Sequence, residues 1–139
     1  MNEFIVWYSN DKNEDKFSME FSLQELIRQD HLDYISDSKQ LVNYKVDSIN
    51  RGIGLKDISN KNIYADSSIV EFKMLINKQE VNIMGYFSYI EEELRYEFYQ
   101  YFNQRKSFIK AYLSPNDSRI IEKFKIIDTT QENKLGLIK

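Results

Sequence analysis

The chain has 139 residues, of which 42% are hydrophobic and 29% charged, with a formal net charge of −3 and a pI near 5.3. This length suits one globular domain, so we expect a single domain over residues 1–139. Its composition excludes a long disordered linker (one Pro, four Gly), disulfide or thiol chemistry (no Cys), and a strongly basic nucleic-acid footprint. No apolar run reaches the length of a membrane span and no secretion signal is visible, so we expect a cytoplasmic protein.

The N-terminal third predicts a β-hairpin followed by a short helix. Residues 3–9 are β-prone, residues 10–16 are polar, and residues 17–21 alternate between apolar and polar side chains. Ser22 and Glu25 then stand at capping-box spacing, which predicts a helix that ends near residues 29–31. We expect residues 30–39 to be irregular, because they are polar.

The middle of the chain contains a turn between two predicted strands. Residues 41–49 alternate as a strand, and a second apolar run starts at Ile63. Between them Gly54 is free to take positive φ, the Asp57 carboxylate can accept from nearby backbone N–H groups, and Asn60 tolerates positive φ. We therefore expect Gly54 and Asp57 to be structural.

Further strands are predicted after this turn. Residues 69–76 and 81–87 are apolar runs separated by a polar turn at 77–80, and residues 120–127 form another candidate strand. Residues 134–138 are a last candidate strand, and residues 135–139 are either a closing strand or a frayed tail.

Residues 88–113 support two interpretations. As a helix, Ser88 and Glu91 form a capping box, acidic residues precede basic ones, and one face is apolar. As strands, residues 95–102 are rich in β-favouring aromatics, which would place a hairpin turn at 91–94. We favour the helix because caps, charge order and periodicity agree. The predicted class is therefore α+β: a twisted antiparallel sheet or small, partly open barrel, with a short N-terminal helix and a longer helix near residues 89–112.

The segment 54–70, GLKDISNKNIYADSSIV, resembles the signature of the YopX family of phages and prophages of Gram-positive bacteria. The match is best over residues 49–72. The family has Gly where this chain has Asn60. It also has Glu-Gly-Asp where this chain has residues 65–68, a segment that is one residue longer and has no Gly, so the turn at 65–68 must differ. Weaker echoes lie at residues 7–17, 85–90 and 135–138, in the family's order. The resemblance implies a phage or prophage origin and the host cytoplasm, and it implies no activity.

The residues that enzymes use are scarce. His31 is the one histidine, and its neighbour Asp30 does not provide a triad geometry, so we interpret His31 as a structural residue at a helix C-terminus. One His without Cys makes zinc improbable, and no phosphate loop, Rossmann fingerprint or nucleophile elbow occurs. We expect no enzyme, no cofactor and no metal.

Three functions remain open. The first is a non-catalytic protein that binds a host protein. Host defence nucleases are candidate targets, because their nucleic-acid channels are basic and would attract an acidic protein. The second is a nucleic-acid-binding module that presents Tyr64, Phe72, Lys73, Arg95 and Tyr96. The third is a carboxylate–metal enzyme. For the first, the expected contact surface lies on or beside residues 91–106 and comprises Glu91, Glu92, Glu93, Arg95, Tyr96 and Tyr99.

Overall fold

The computed structural model describes residues 3–138 and is predominantly β, with 51% strand and 13% helix. The strands are β1 Phe4–Asn10, β2 Lys16–Phe21, β3 Tyr44–Lys56, β4 Asn62–Tyr64, β5 Ser68–Ile76, β6 Gln79–Ile90, β7 Arg95–Phe102, β8 Ser107–Ala111 and β9 Lys125–Thr129. The helices are α1 Leu23–Ile27 and α2 Asp30–Ser36, and two 3₁₀ turns cover Lys39–Leu41 and Glu91–Glu93. The described chain forms two compact units, one up to Gly52 and one from Ile53. The expectation of a single domain stays a prediction.

The N-terminal unit is built on β1, which pairs antiparallel with β2 and with β3. Val6, Tyr8 and Phe21 form its buried core. The predicted hairpin is confirmed, and so is the capping box: Ser22 Oγ accepts from the Glu25 N–H at 3.2 Å, and Glu25 Oε1 accepts from the Ser22 N–H at 2.9 Å.

The expectation of irregular structure at residues 30–39 is wrong, because α2 begins at Asp30. Gln29, at φ 65°, ends α1, and Asp30 and Asp33 then complement the positive first turn of α2. His31 consequently lies in the first turn of a helix and not at a C-terminus, so the expected interaction with the negative end of the dipole is absent. The residue is buried, and its carbonyl accepts from the Tyr8 hydroxyl at 2.8 Å.

The C-terminal unit contains a five-stranded antiparallel sheet in the order β8-β7-β6-β5-β9. One face of this sheet carries the core, which consists of Ile63, Val70, Phe72, Met74, Ile83, Phe87, Phe98 and Phe124. Asn77 and Lys78 make the β5–β6 turn with φ of 51° and 65°, inside the predicted turn. The predicted strand at 120–127 is mostly wrong: Ile120 makes a single bridge to Met74, and β9 starts at Lys125.

The predicted long helix near residues 89–112 is wrong. This segment finishes β6, turns at Glu91–Glu93, and then forms β7 and β8. Ser88 does not cap a helix, because it pairs with Glu97 in the β6–β7 ladder. The residues of the supposed apolar stripe do not share one environment either, since Phe98 is fully buried and Leu94 is 80% exposed. The antiparallel sheets and the short N-terminal helix are confirmed, but the class is mainly β.

The C-terminal segment forms no strand over residues 134–138. Buried Asp128 accepts from the backbone N–H groups of Lys134 at 3.1 Å and Leu135 at 3.0 Å. The Asn133 side chain bonds both the N–H and the carbonyl of Ile138, at 3.1 and 2.7 Å. Side chains therefore satisfy the backbone that a partner strand would otherwise pair.

The turn chemistry expected of Asp57 and Asn60, between β3 and β4, is confirmed, and Asn60 has φ 66°. Gly54 has the positive φ expected of it, 82°, but it lies inside β3 and not in the turn. Asp57 Oδ1 accepts from the N–H groups of Ser59 and Lys61, both at 2.9 Å, and Oδ2 accepts from the Ile126 N–H at 3.2 Å. The buried Asp57 carboxylate thus fixes the turn and joins it to β9.

Replacing Gly54 with Val should lower the free energy of unfolding by about 1–3 kcal/mol, because a β-branched residue is strained at positive φ. A Cβ at this position would meet no atom within 4 Å, so the loss would come from the backbone alone. Gly54→Asn is the matched control and should cost about 1 kcal/mol or less, since Asn tolerates this region. Urea unfolding measures both, and equal stability of the Val variant and the wild type would refute a strained Gly54.

Replacing Asp57 with Ala should lower the free energy of unfolding by about 1–3 kcal/mol, because three backbone donors lose their acceptor. Burial raises the pKa of Asp57, but the three N–H bonds outweigh it and leave the pKa below its usual value. The contribution of the ionised carboxylate is therefore present above the unfolded-state pKa and is lost as pH falls through the folded-state pKa.

Urea unfolding measures this loss at neutral pH and at about pH 3. The difference in the free energy of unfolding between wild type and Asp57→Ala should be smaller at the acidic pH. Asp57→Asn keeps one acceptor oxygen, but its amide N–H would point toward the N–H of Ile126. Its free energy of unfolding should therefore fall between those of the wild type and the Ala variant. An Ala variant as stable as the wild type at neutral pH would contradict the structural role.

Candidate functional site

The β6–β7 turn projects three acidic side chains. Glu91, Glu92 and Glu93 are all exposed, and we call them the acidic tip. Leu94 follows in the left-handed region at φ 51°, and its N–H donates to the Glu91 carbonyl at 3.3 Å. A non-Gly residue in this region costs roughly 1–2 kcal/mol, so the pairing of β6 with β7 must hold the turn.

Strand β7 sends alternate side chains to opposite faces of the sheet. Phe98 is fully buried in the core, and Tyr96 packs against the same core. Arg95, Glu97 and Tyr99 therefore lie on the opposite face, which we call the outer face. Of the predicted contact residues, Arg95 and Tyr99 share the outer face of β7, and Tyr96 lies on the other face.

A buried carboxylate organises the outer face. The Glu97 side chain is only 8% exposed, and its Oε1 accepts from Arg95 Nη2 at 2.7 Å and lies 2.8 Å from Lys110 Nζ. Its Oε2 accepts from the Tyr99 hydroxyl at 3.4 Å. The bond from Lys110 and the charge of Arg95 hold the pKa of Glu97 below its usual value, against the effect of desolvation. Arg95 also bonds Glu93, so the network continues into the acidic tip.

Four aromatic side chains pack beside Glu97 on the outer face, and we call them the aromatic cluster: Tyr86, Tyr99, Tyr101 and Phe108. The rings of Tyr86 and Tyr99 stack with centroids 5.4 Å apart, and Phe108 meets Tyr86 and Tyr101 edge-on at 5.0 and 5.1 Å. All four are partly exposed. They form a rigid surface that is both apolar and able to donate hydrogen bonds.

An open groove of about 930 Å³ adjoins the aromatic cluster at Tyr101. Its charged lining residues are Glu71, Lys73, Glu122, Lys123 and Lys125. Two of the lysines lie near glutamates: Lys73 Nζ is 3.4 Å from Glu122 Oε1, and Lys125 Nζ is 4.0 Å from Glu71 Oε1. The groove therefore has a mixed lining of three lysines and two glutamates, which leaves one lysine in excess.

Glu97, Lys110, Tyr86 and Phe108 were not among the residues predicted for the contact surface. The period-two alternation of residues 95–102, RYEFYQYF, was the signal that would have grouped Arg95, Glu97 and Tyr99.

The residues proposed for base stacking are mostly unavailable. Tyr64 is 2% and Phe72 4% exposed, and Phe72 belongs to the core cluster. Tyr96 also packs on the core, and Arg95 is engaged by two glutamates. Tyr64, Phe72 and Tyr96 therefore offer no stacking surface, whereas Lys73, the remaining predicted residue, lines the groove.

Over residues 3–138, no group of three or more His, Asp or Glu side chains is placed to hold a metal ion. No helix in the same range is both long and apolar enough to cross a membrane.

Comparison with known proteins finds no match among protein-family models, curated proteins or solved structures. The YopX resemblance of residues 54–70 therefore stays a prediction.

Replacing Glu97 with Gln should destabilise the fold at neutral pH, because Arg95 and Lys110 lose the carboxylate between them. The pKa of Glu97 is lowered in the folded state. The stabilisation by its ionised carboxylate is therefore present above the unfolded-state pKa and is lost as pH falls through the folded-state pKa. The stability difference from the wild type, measured by urea unfolding, should therefore shrink at about pH 3.

Glu80→Gln is the matched control, since Glu80 is an exposed residue of β6. It should change stability little at either pH. A difference between wild type and Glu97→Gln that does not vary with pH would contradict an ionised Glu97.

Proposed function

We propose that this protein is a non-catalytic binding protein whose contact surface is the acidic tip together with Arg95, Tyr99 and the rest of the aromatic cluster. The observation that carries the proposal is the Glu97 network. It fixes Arg95 and Tyr99 in place before any partner arrives, so little side-chain entropy remains to be lost on binding.

The chemistry of this surface indicates a partner with a basic face. Tyr and Arg are enriched at the energetic centres of protein interfaces, and tyrosine adds large contact area with few rotors. The acidic tip would accelerate encounter with a positively charged partner, and the chain's net charge of −3 acts in the same direction.

The YopX resemblance supplies the biological setting of the proposal. We infer a phage- or prophage-encoded accessory protein that acts in the host cytoplasm on a host protein. A host defence nuclease is the leading candidate, because a nucleic-acid channel is basic and complements the acidic tip.

A nucleic-acid-binding module is the second candidate. The groove beside Tyr101 favours it, since Lys73, Lys123 and Lys125 are among its lining residues. Neighbouring glutamates offset most of this charge, so we rank it lower. Fluorescence anisotropy with single-stranded DNA at low salt tests it, and unchanged anisotropy would remove it.

Changing Glu91, Glu92 and Glu93 together to Lys should abolish partner binding and cost little stability, because all three side chains are exposed. Affinity capture from host lysate followed by mass spectrometry provides the first readout. Titration calorimetry with the recovered partner then gives the affinity.

The control variant changes three exposed acidic residues elsewhere, Glu3, Asp37 and Glu80, to Lys. It has the same net charge as the tip variant, so it separates the location of the charge from its amount. Retained affinity in a folded tip variant would move the contact surface elsewhere on the molecule.

A further inference from the structure

The groove beside Tyr101 lies on the outer face of the five-stranded sheet. Phe72 on β5 and Ile83 on β6 belong to the core, so the residues on either side of them point to the opposite face. The groove volume of about 930 Å³ falls within the roughly 300–1,000 Å³ that suits a small molecule. The outward residues that line it with Tyr101 are Glu71, Lys73, Asn82 and Met84.

One end of the groove combines an aromatic ring, a thioether and two amides. Tyr101 on β7 is half-buried, and Phe108 holds its ring by an edge-on contact at 5.1 Å. Met84 lies on the neighbouring strand β6. The side chains of Asn82 and Asn103 are exposed, and within residues 3–138 neither has a hydrogen-bond partner. An amide offers a donor and an acceptor side by side, which matches the edge of a nucleobase.

The other end of the groove carries the positive charge. Lys123 is exposed, and its ammonium group pairs with no carboxylate among the described residues. Lys73 lies 3.4 Å from Glu122 and Lys125 lies 4.0 Å from Glu71, in ion pairs whose side chains are all more than a third exposed. Such surface pairs contribute little stability, so both lysines can turn toward an anion.

The distance between the two ends suits one nucleotide. Tyr101 lies on β7 and Lys125 begins β9, and β6 and β5 lie between these strands. Three strand spacings amount to roughly 14 Å. A nucleotide with its base against the ring, together with a lysine side chain extended toward its phosphate, covers this span.

We propose that the groove binds one nucleoside monophosphate. The base stacks on Tyr101 and its edge bonds the two free amides, while the phosphate is bound by Lys123 and the two paired lysines. An excess of one lysine suits a single phosphate group, whereas a polynucleotide needs many phosphate contacts. A fatty acid fits less well, because its acyl chain would cover the amides without giving them partners.

This inference goes beyond the proposed function and does not depend on a protein partner. The groove shares only Tyr101 with the proposed contact surface. Lys123→Ala should therefore capture the protein partner as the wild type does. Loss of nucleotide binding with retained partner capture, or the reverse, would show which of the two proposals fails.

Equilibrium dialysis of the full chain with radiolabelled adenosine monophosphate at physiological salt tests the proposal. Unlabelled adenosine and inorganic phosphate serve as competitors. Each should compete at least about tenfold more weakly than unlabelled adenosine monophosphate, because only the whole molecule reaches both ends of the groove. No binding of the nucleotide at millimolar concentration, or equal competition by inorganic phosphate, would overturn the proposal, and neither result depends on a variant folding.

Two substitutions assign the ends of the groove. Lys123→Ala should weaken binding of adenosine monophosphate about tenfold and leave that of adenosine unchanged, since it removes one charge-assisted contact. Asn82→Ala should weaken the binding of both. Lys39→Ala, at an exposed lysine of the N-terminal unit, is the matched control and should bind like the wild type. A Lys123→Ala variant that unfolds in urea like the wild type and binds the nucleotide as tightly would refute the site.

Short oligonucleotides distinguish a free nucleotide from the end of a nucleic-acid chain. If an oligonucleotide with a 5′-phosphate competes as well as adenosine monophosphate, the natural ligand is a chain end, and if it does not, the ligand is the free nucleotide. An oligonucleotide without a terminal phosphate that competes equally well would overturn the proposal in favour of a polynucleotide surface.

Discussion

The burial of Phe98 decides the structure of the C-terminal unit. Its ring lies 4.9 Å from that of Phe87 and 5.6 Å from that of Phe72, and full burial of a side chain of this size contributes about 1.5–3 kcal/mol. The space for it exists because Gly85 faces it. A Cβ at Gly85 would lie 2.6 Å from the Phe98 ring and 2.1 Å from the Tyr99 carbonyl oxygen. Close pairing of β6 with β7 therefore depends on this glycine.

The position of Phe98 also determines the outer face. In a strand, neighbours of an inward residue point outward, so Glu97 and Tyr99 are carried to the face opposite the core. A carboxylate as buried as Glu97 is costly unless it is paired, and Arg95 and Lys110 supply the pairing. Core packing on one face thus produces an ordered charged and aromatic surface on the other.

Sequence reasoning was most reliable where the interactions are local. The Ser22–Glu25 capping box and the turn of Asp57 and Asn60 were predicted in detail, because a few adjacent residues determine each of them. It failed at residues 89–112, where the cross-strand pairing of aromatic side chains on β6 and β7 outweighed the local helix signals. The Arg95–Glu97–Lys110 network could not be predicted without the strand assignment, and the bond from Asp57 to Ile126 spans 69 residues.

Hydrogen exchange of the complex with the captured partner is the most direct measurement of the central claim. The account predicts that the partner slows exchange in residues 91–99 and leaves β2 and α2 of the N-terminal unit unchanged. Protection confined to the N-terminal unit, or the capture of no protein at physiological salt, would contradict it.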